Sequence, residues 1–407
     1  MFGGVGRALS SPHYRLYASG HIANTFGWWG NRLGVGWLTW ELSGSAGLLG
    51  VVAFAGMIPV TMVAPFGGVL ADRCGHRRVA IFAGALGGTI TLALALSSLC
   101  GLINIPILIV LSVFQGIVFG VEFPARQALI PQLCKPENLA AALAFNSTSF
   151  QVGAFLGPVV AGLLIASYGA GASIFLFSLT NYWMAFMVFL IRFRPSEREQ
   201  KEFKGFLREL GEGFRYIIST PSLRLLFAVS FTSGVLLRPY TELLAGFADV
   251  VFGGGPAELA ALAASAGLGA LVSGVFLAFR GRTEGLVSIM LTGGITGSIG
   301  LTLFATQTWL PAGSFILGLA SMLLLACHVG SYSLIQNSTD GNLRGRVISF
   351  SVSITVGGPA LGALLIGWSA EVVGLQWAVA GSALMALVVI LALLPTILTQ
   401  KTVMEAV

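Results

Sequence analysis

Long apolar runs, separated by short polar breaks, recur along the whole chain and leave few folds open to it. About 20 consecutive apolar residues are what a helix needs to cross a bilayer, and within lipid only a helix or a closed barrel satisfies its own backbone. The runs are continuous rather than alternating, which argues against a barrel. Twelve spans are read, at 16–42, 48–71, 79–100, 105–130, 139–168, 173–193, 222–252, 257–279, 286–306, 310–336, 347–373 and 376–398. Composition agrees: only 9% of the 407 residues are charged, against roughly 25% in soluble domains. The expected fold is an all-α membrane protein.

Lys and Arg orient it. They fall at 73–78, 135, 192–224, 280–282, 344–346 and 401, whereas the alternate turns 43–47, 101–106, 169–172, 253–258, 307–312 and the Gly374 turn hold none. Basic short loops stay on the cytoplasmic side, so both termini are expected there. The net charge of +6 then reports orientation and contact with lipid headgroups, not nucleic acid. Residues 194–221 form a polar interruption. Phe203, Phe206, Leu207, Leu210, Phe214 and Ile217 share one helical face, with Lys204, Arg208, Glu209 and Glu212 on the others. That pattern predicts an amphipathic helix on the inner membrane surface. It divides the chain into 1–193, the linker 194–221, and 222–407. The two parts repeat. Pro12-His13-Tyr14-Arg15-Leu16 matches Pro221-Ser222-Leu223-Arg224-Leu225, and Asn138 to Gly157-Pro158 matches Asn342 to Gly358-Pro359. Two parallel six-helix bundles are expected.

Ionisable groups inside spans are costly and point to function. Arg32 lies in the first span, Glu122 and Arg126 in the fourth, Arg238 and Glu242 in the seventh, and His328 in the tenth. Glu122–Arg126 and Arg238–Glu242 are each four apart, which predicts two local ion pairs. Glu122, Glu242 and His328 are the candidates for carrying protons. Trp28, Arg32, Gln115, Arg126, Arg238 and Tyr332 are candidates for lining a substrate cavity. Trp28 and Trp29 are placed to stack on a substrate ring. Cys74, Cys100, Cys134 and Cys327 show no metal spacing. The run Gly253-Gly254-Gly255-Pro256 reads as a turn, not a nucleotide loop. No metal, cofactor, nucleotide motif or nucleophile triad is expected, which weighs against an enzyme and an ATP-driven pump.

The loop Gly67-Gly68-Val69-Leu70-Ala71-Asp72-Arg73-Cys74-Gly75-His76-Arg77-Arg78 concentrates charge in a chain with little of it. Gly68 and Gly75 are expected to turn the backbone there. Through Gly68, Leu70, Asp72, Arg73, Gly75 and Arg77 the loop resembles the signature of the major facilitator superfamily, although His76 stands where that signature usually has arginine. Gly153, Gly157, Pro158 and Gly162 resemble the fifth-helix motif of its proton-driven exporters. The segments 124–131, 206–216 and 344–347 resemble the subgroup of enterobactin exporters and bacterial macrolide and drug efflux proteins.

The resemblance implies a secondary transporter of the inner membrane, working as a monomer by alternating access. First, fourth, seventh and tenth helices would line its cavity. It implies export of an amphipathic organic molecule in exchange for protons, with Asp72, Arg73 and Arg77 gating the cytoplasmic face and Asp72 meeting the eleventh helix near Val347. Two alternatives remain at this point: a metabolite uptake carrier or uniporter of the same fold, and a membrane scaffold or sensor that transports nothing.

Overall fold

The computed structural model describes residues 6–7, 9–192, 206–280, 283–339 and 343–405. Linker residues 194–205, the side chains of 206–210, Arg282 and Asn342 lie outside it. The long helices are α1 (Pro12–Ser43), α2 (Ala46–Cys74), α3 (His76–Leu99), α4 (Ile105–Gln127), α5 (139–168), α6 (170–190), α7 (Pro221–Val251), α8 (Pro256–Arg280), α9 (Leu286–Ala305), α10 (Leu310–Asn337), α11 (Arg344–Val373) and α12 (Leu375–Thr399). Among the described residues there is no strand. Nine helices among the described residues are apolar and long enough to cross a membrane when α5 and α6 count as one; α7 qualifies together with the linker helix. α1, which carries His21, Asn24, Asn31 and Arg32, is not among them.

Local chemistry sets these boundaries. Ser11 caps α1 by accepting from Tyr14 N, with Pro12 at the first helical position. Gly44, at φ 58°, ends α1, and Ser45 caps α2 at once. Asn104 caps α4 through Ile107 N at 3.0 Å. One residue, Gly169 at φ 82° and ψ 166°, separates α5 from α6, a conformation open to a residue without Cβ. Gly75, at φ 91°, makes the corresponding turn between α2 and α3. Gly68 does not turn: it continues α2. Turns are expected at Gly68 and Gly75, but only Gly75 leaves the helical region.

Two bundles result, and their cores differ. The second bundle has one continuous apolar core, which extends across the seam to Trp40, Ala46 and Leu49 of the first. The first bundle has two. One, at the end bearing the Arg73–Arg78 loop, holds Tyr14, Tyr17, Ala125, Leu129, Met184 and Val188. The other, towards the opposite end, holds Leu38, Leu94, Leu108, Ile174 and Phe177. On α1, α4 and α6 alike, the residues between these clusters include polar ones.

The bundles meet most tightly at the end opposite the basic loops. The Trp40 indole donates to Asp249 at 2.8 Å, joining α1 to α7. Glu371 of α11 accepts from the Ser45 hydroxyl at 2.7 Å and from Gly47 N at 2.9 Å, so a carboxylate covers the start of α2. Beside this, α5 and α8 touch backbone to backbone: a Cβ on Gly267 would lie 2.6 Å from Phe155 Cα.

The linker helix (Phe206–Ser219) is bent by 104° from α7. Ile217 is buried in the second bundle's core, Gly213 packs on Arg346, and Glu212 pairs with Arg346 at 2.6 Å. The described part of the linker is therefore seated on α11 and α7.

Candidate transport site

A polar layer lies between the two apolar clusters of the first bundle. Glu122 and Arg126 are each 5% exposed and pair at 3.1 Å, as their spacing predicts. Arg126 also donates to Asn24 Oδ1, and Asn24 Nδ2 donates to Asn181 Oδ1 at 2.9 Å. The network thus ties α4 to α1 and α6. Gln115 donates to Thr91 at 3.0 Å, adding α3. Nearer the basic end, Tyr14 donates to Ala142 O and Asn146 Oδ1, and His21 Nε2 lies 3.2 Å from Asn146 O. Tyr17 Oη, His21 Nδ1, Arg126 Nε and Asn146 Nδ2 are buried without a protein partner. Four such atoms in one region mark a place that water would satisfy.

Two cavities adjoin this layer. A cavity of about 140 Å³ lies within the first bundle and is lined by Trp28, Arg32, Gln115, Phe119, Glu122 and Asn181, with Glu242 reaching in from the second bundle. Another, of about 200 Å³, lies between the bundles and is lined by Trp29, Trp37, Phe150, Arg238, Tyr240 and His328, among others. Arg32 and Glu242 line both cavities. They also form an ion pair with each other, with side chains 23% and 12% exposed. The Arg32 guanidinium sits 5.3 Å from the Trp28 ring centroid and 5.6 Å from that of Trp29. Aromatic faces thus hold the cation from the α1 side while the carboxylate holds it from α7.

This pairing corrects an expectation. Glu242 does not pair with Arg238, although they are four apart. α7 widens into a π-helical turn at Ser233–Leu237, where Arg238 N bonds back to Ser233 O at 3.0 Å, and Pro239 then starts a fresh helical segment. The interruption changes the helical phase, and Glu242 takes its base from the other bundle. Among the described residues the Arg238 side chain is left with one hydrogen bond, from NH1 to Thr355 O at 3.3 Å.

The other candidates separate. Trp28 and Trp29 face different cavities, and their rings meet edge to face at 4.8 Å. Tyr332 is half-buried and lines neither cavity. Gly153 and Gly157 bring α5 onto Thr25 and Trp29 of α1, Gly162 brings it onto Ala260 of α8, and Pro158 lines the inter-bundle cavity. The glycine–proline motif is thus a packing seam that also borders the cavity. At the basic end Asp72 pairs with His76 at 3.0 Å, its side chain 70% exposed, and not with the start of α11. Arg77 bonds the carbonyls of Val188 and Phe189 at the end of α6, where a cation complements the helix dipole. Arg73 is exposed. All four cysteines are free thiols.

The sequence reading missed Asn24, Thr91, Asn146 and Asn181. Uncharged polar residues barely disturb an apolar run, so the available signal was only their presence in a span. Among the described residues no group of His, Cys, Asp and Glu is placed to hold a metal.

Two helical bundles with charged groups at their seam define a membrane transporter of the major facilitator superfamily. The sequence matches the transmembrane secretion effector family over residues 8–406, and the chain belongs to that family. Its members are transporters, not enzymes. The chain is 26% identical over 339 residues to the enterobactin exporter EntS of Shigella boydii serotype 18, covering 81% of this chain and 76% of that protein. The EntS of Escherichia coli O81 matches equally. The nucleoside transporter NupG superposes with a TM-score of 0.75 at 12% identity, over 94% of this chain and 98% of that one. A bacterial homologue of the lysosomal transporter Spinster, inward-facing and occupied, superposes at 0.73 with 14% identity, over 95% and 97%. At those identities the structural likeness concerns the fold.

Proposed function

We propose that this protein exports amphipathic small organic molecules across a bacterial cytoplasmic membrane by proton antiport, through alternating access of its two bundles. The observation that carries the reading is the arrangement of charge. Glu122, paired with the buried Arg126, lines one cavity, and the Arg32–Glu242 pair between bundles borders that cavity and the next. Likeness to an exporter at 26% identity supports the direction of transport.

With the basic loops on the cytoplasmic side, the arrangement described is closed outward, through Trp40–Asp249 and the Glu371 contacts. The protein then works as a monomer with both termini inside. The divisions 1–193, 194–221 and 222–407 separate the moving bodies from their connection. Glu122 is the proton site. It is buried, it faces a cavity, and the unpartnered polar atoms around Arg126 mark a hydrated approach from the basic end. Protonation releases Arg126 from its ion pair and leaves the layer with one net positive charge. Arg32 and Glu242 hold the bundles together between turns of the cycle, and His328 faces the substrate. Asp72, with Arg73 and Arg77 beside it, latches the basic end when the bundles rock, meeting the start of α11 only in that other state.

The test is transport in proteoliposomes of defined orientation, with an imposed pH gradient and a panel of amphipathic dyes and siderophore-like compounds. Gradient-driven movement that is lost in Glu122→Gln is the expected result. Movement that persists in that variant would move the proton site to Glu242 or make the protein a uniporter. Absence of movement for every compound would favour uptake of a metabolite, or a scaffold.

A further inference from the structure

We propose that the inter-bundle cavity takes an amphipathic organic anion, and that Arg238 binds its acidic group. The inference rests on reading that cavity as the substrate site.

Three arginines of the spans face this part of the protein, and two are matched. Arg126 has Glu122 and Arg32 has Glu242. Among the described residues Arg238 has no carboxylate within ion-pair distance, and its single side-chain hydrogen bond goes to the neutral Thr355 carbonyl. Glu242 is the acid that its sequence position would supply, but the π-helical turn and Pro239 turn that carboxylate towards Arg32. The fold thus leaves one guanidinium uncompensated where Coulomb forces are weakly screened. An unmatched charge in such a place is costly unless something arrives to match it.

The cavity wall indicates what arrives. Two guanidinium groups, Arg32 and Arg238, face it against one carboxylate, Glu242, so its charged groups sum to one positive charge. Most of the remaining lining is apolar or aromatic, with Trp29, Trp37, Phe150 and Leu259 prominent. A planar guanidinium accepts a carboxylate, sulfonate or phosphate through two parallel hydrogen bonds. Indole and phenyl faces accept a ring or an alkyl body. One acidic group on an apolar body satisfies both requirements, and a cation would meet Arg238 repulsively.

The test uses the full chain in phosphatidylcholine nanodiscs and three dansyl probes: dansylglycine (an anion), its methyl ester (neutral) and dansylcadaverine (a cation). Binding is read by energy transfer from tryptophan. Dansylglycine should bind about tenfold or more tightly than the ester, the weight of a single charge-assisted hydrogen bond. Arg238→Gln should abolish that preference with the ester still bound, which shows the cavity intact, and Arg238→Lys should restore part of it.

Equal or tighter binding of the ester or the cation, an anion preference that survives Arg238→Gln, or binding of none of the three would each overturn the proposal. Nanodiscs containing phosphatidylglycerol settle the source: displacement of dansylglycine would make the natural anion a lipid, and its persistence a soluble compound. Proton-driven movement of a cationic dye by a preparation without anion preference would sink this proposal and leave the exporter reading standing. An intact anion preference without proton-driven movement would do the reverse.

Discussion

Residue by residue, pairing across the seam matters more than pairing along a helix. Arg32 and Glu242 come from different bundles, and each is the other's counter-charge in a mostly buried site. Removing one partner strands the other, a loss of about 3–5 kcal/mol for a fully buried pair and less where the side chains are partly exposed as here. Arg32→Gln and Glu242→Gln should therefore each lower the melting midpoint in detergent, and the double variant should recover much of the loss. Strictly additive losses would show that the two side chains do not depend on each other. The positions of Arg32, Glu122, Arg126, Arg238 and Glu242 were all legible in the sequence, because a charge inside an apolar run stands out. Their partners were legible only where the helix stayed regular. Glu122–Arg126 follows the four-residue rule, whereas a π-helical turn, which no local residue pattern announces, moved Glu242 to another bundle. Asn24 and Asn181 were missed for a different reason: they complete the Arg126 network but carry no charge that would single them out.

At the level of elements, the helix boundaries could be read to within a few residues, since apolar length and terminal capping are local properties. The packing of those elements could not. Gly267 of α8 shows the difference. It is one of many glycines in the sequence, but a Cβ there would lie 2.6 Å from Phe155 Cα and 2.7 Å from Ala154 O on α5. Backbone cannot yield as a side-chain tip does. Gly267→Ala should thus force α5 and α8 apart, lowering thermal stability and transport, whereas Gly274→Ala, about two turns further along α8 on the same seam and 3.5 Å from Gln151 Nε2, should leave both near wild type. Similar melting curves for the two variants would show that the seam is more compliant than its backbone contacts imply. Gly68, which resembles a turn residue by its place in the loop, is a helical position with open space around it. The proposed closure of the basic end would use that space.

For the molecule as a whole, the two ends are unlike. One is locked by Trp40–Asp249 and by Glu371 over the start of α2, while Asp72 at the other is mostly exposed and paired locally with His76. Asp72→Asn should accordingly leave the melting midpoint of this state nearly unchanged while slowing turnover, because the latch proposed for it belongs to the opposite state. Normal turnover in that variant would remove Asp72 from the gate. The Trp40 contact also has a spectroscopic consequence. An indole N–H held by a carboxylate resonates far from one facing lipid or water, and of the eight tryptophans Trp40 is the one that bonds Asp249 across the seam. In a proton NMR spectrum of the indole region, a single line should report the opening of that end, and the relative intensities of its two positions would give the population of each state without any introduced label.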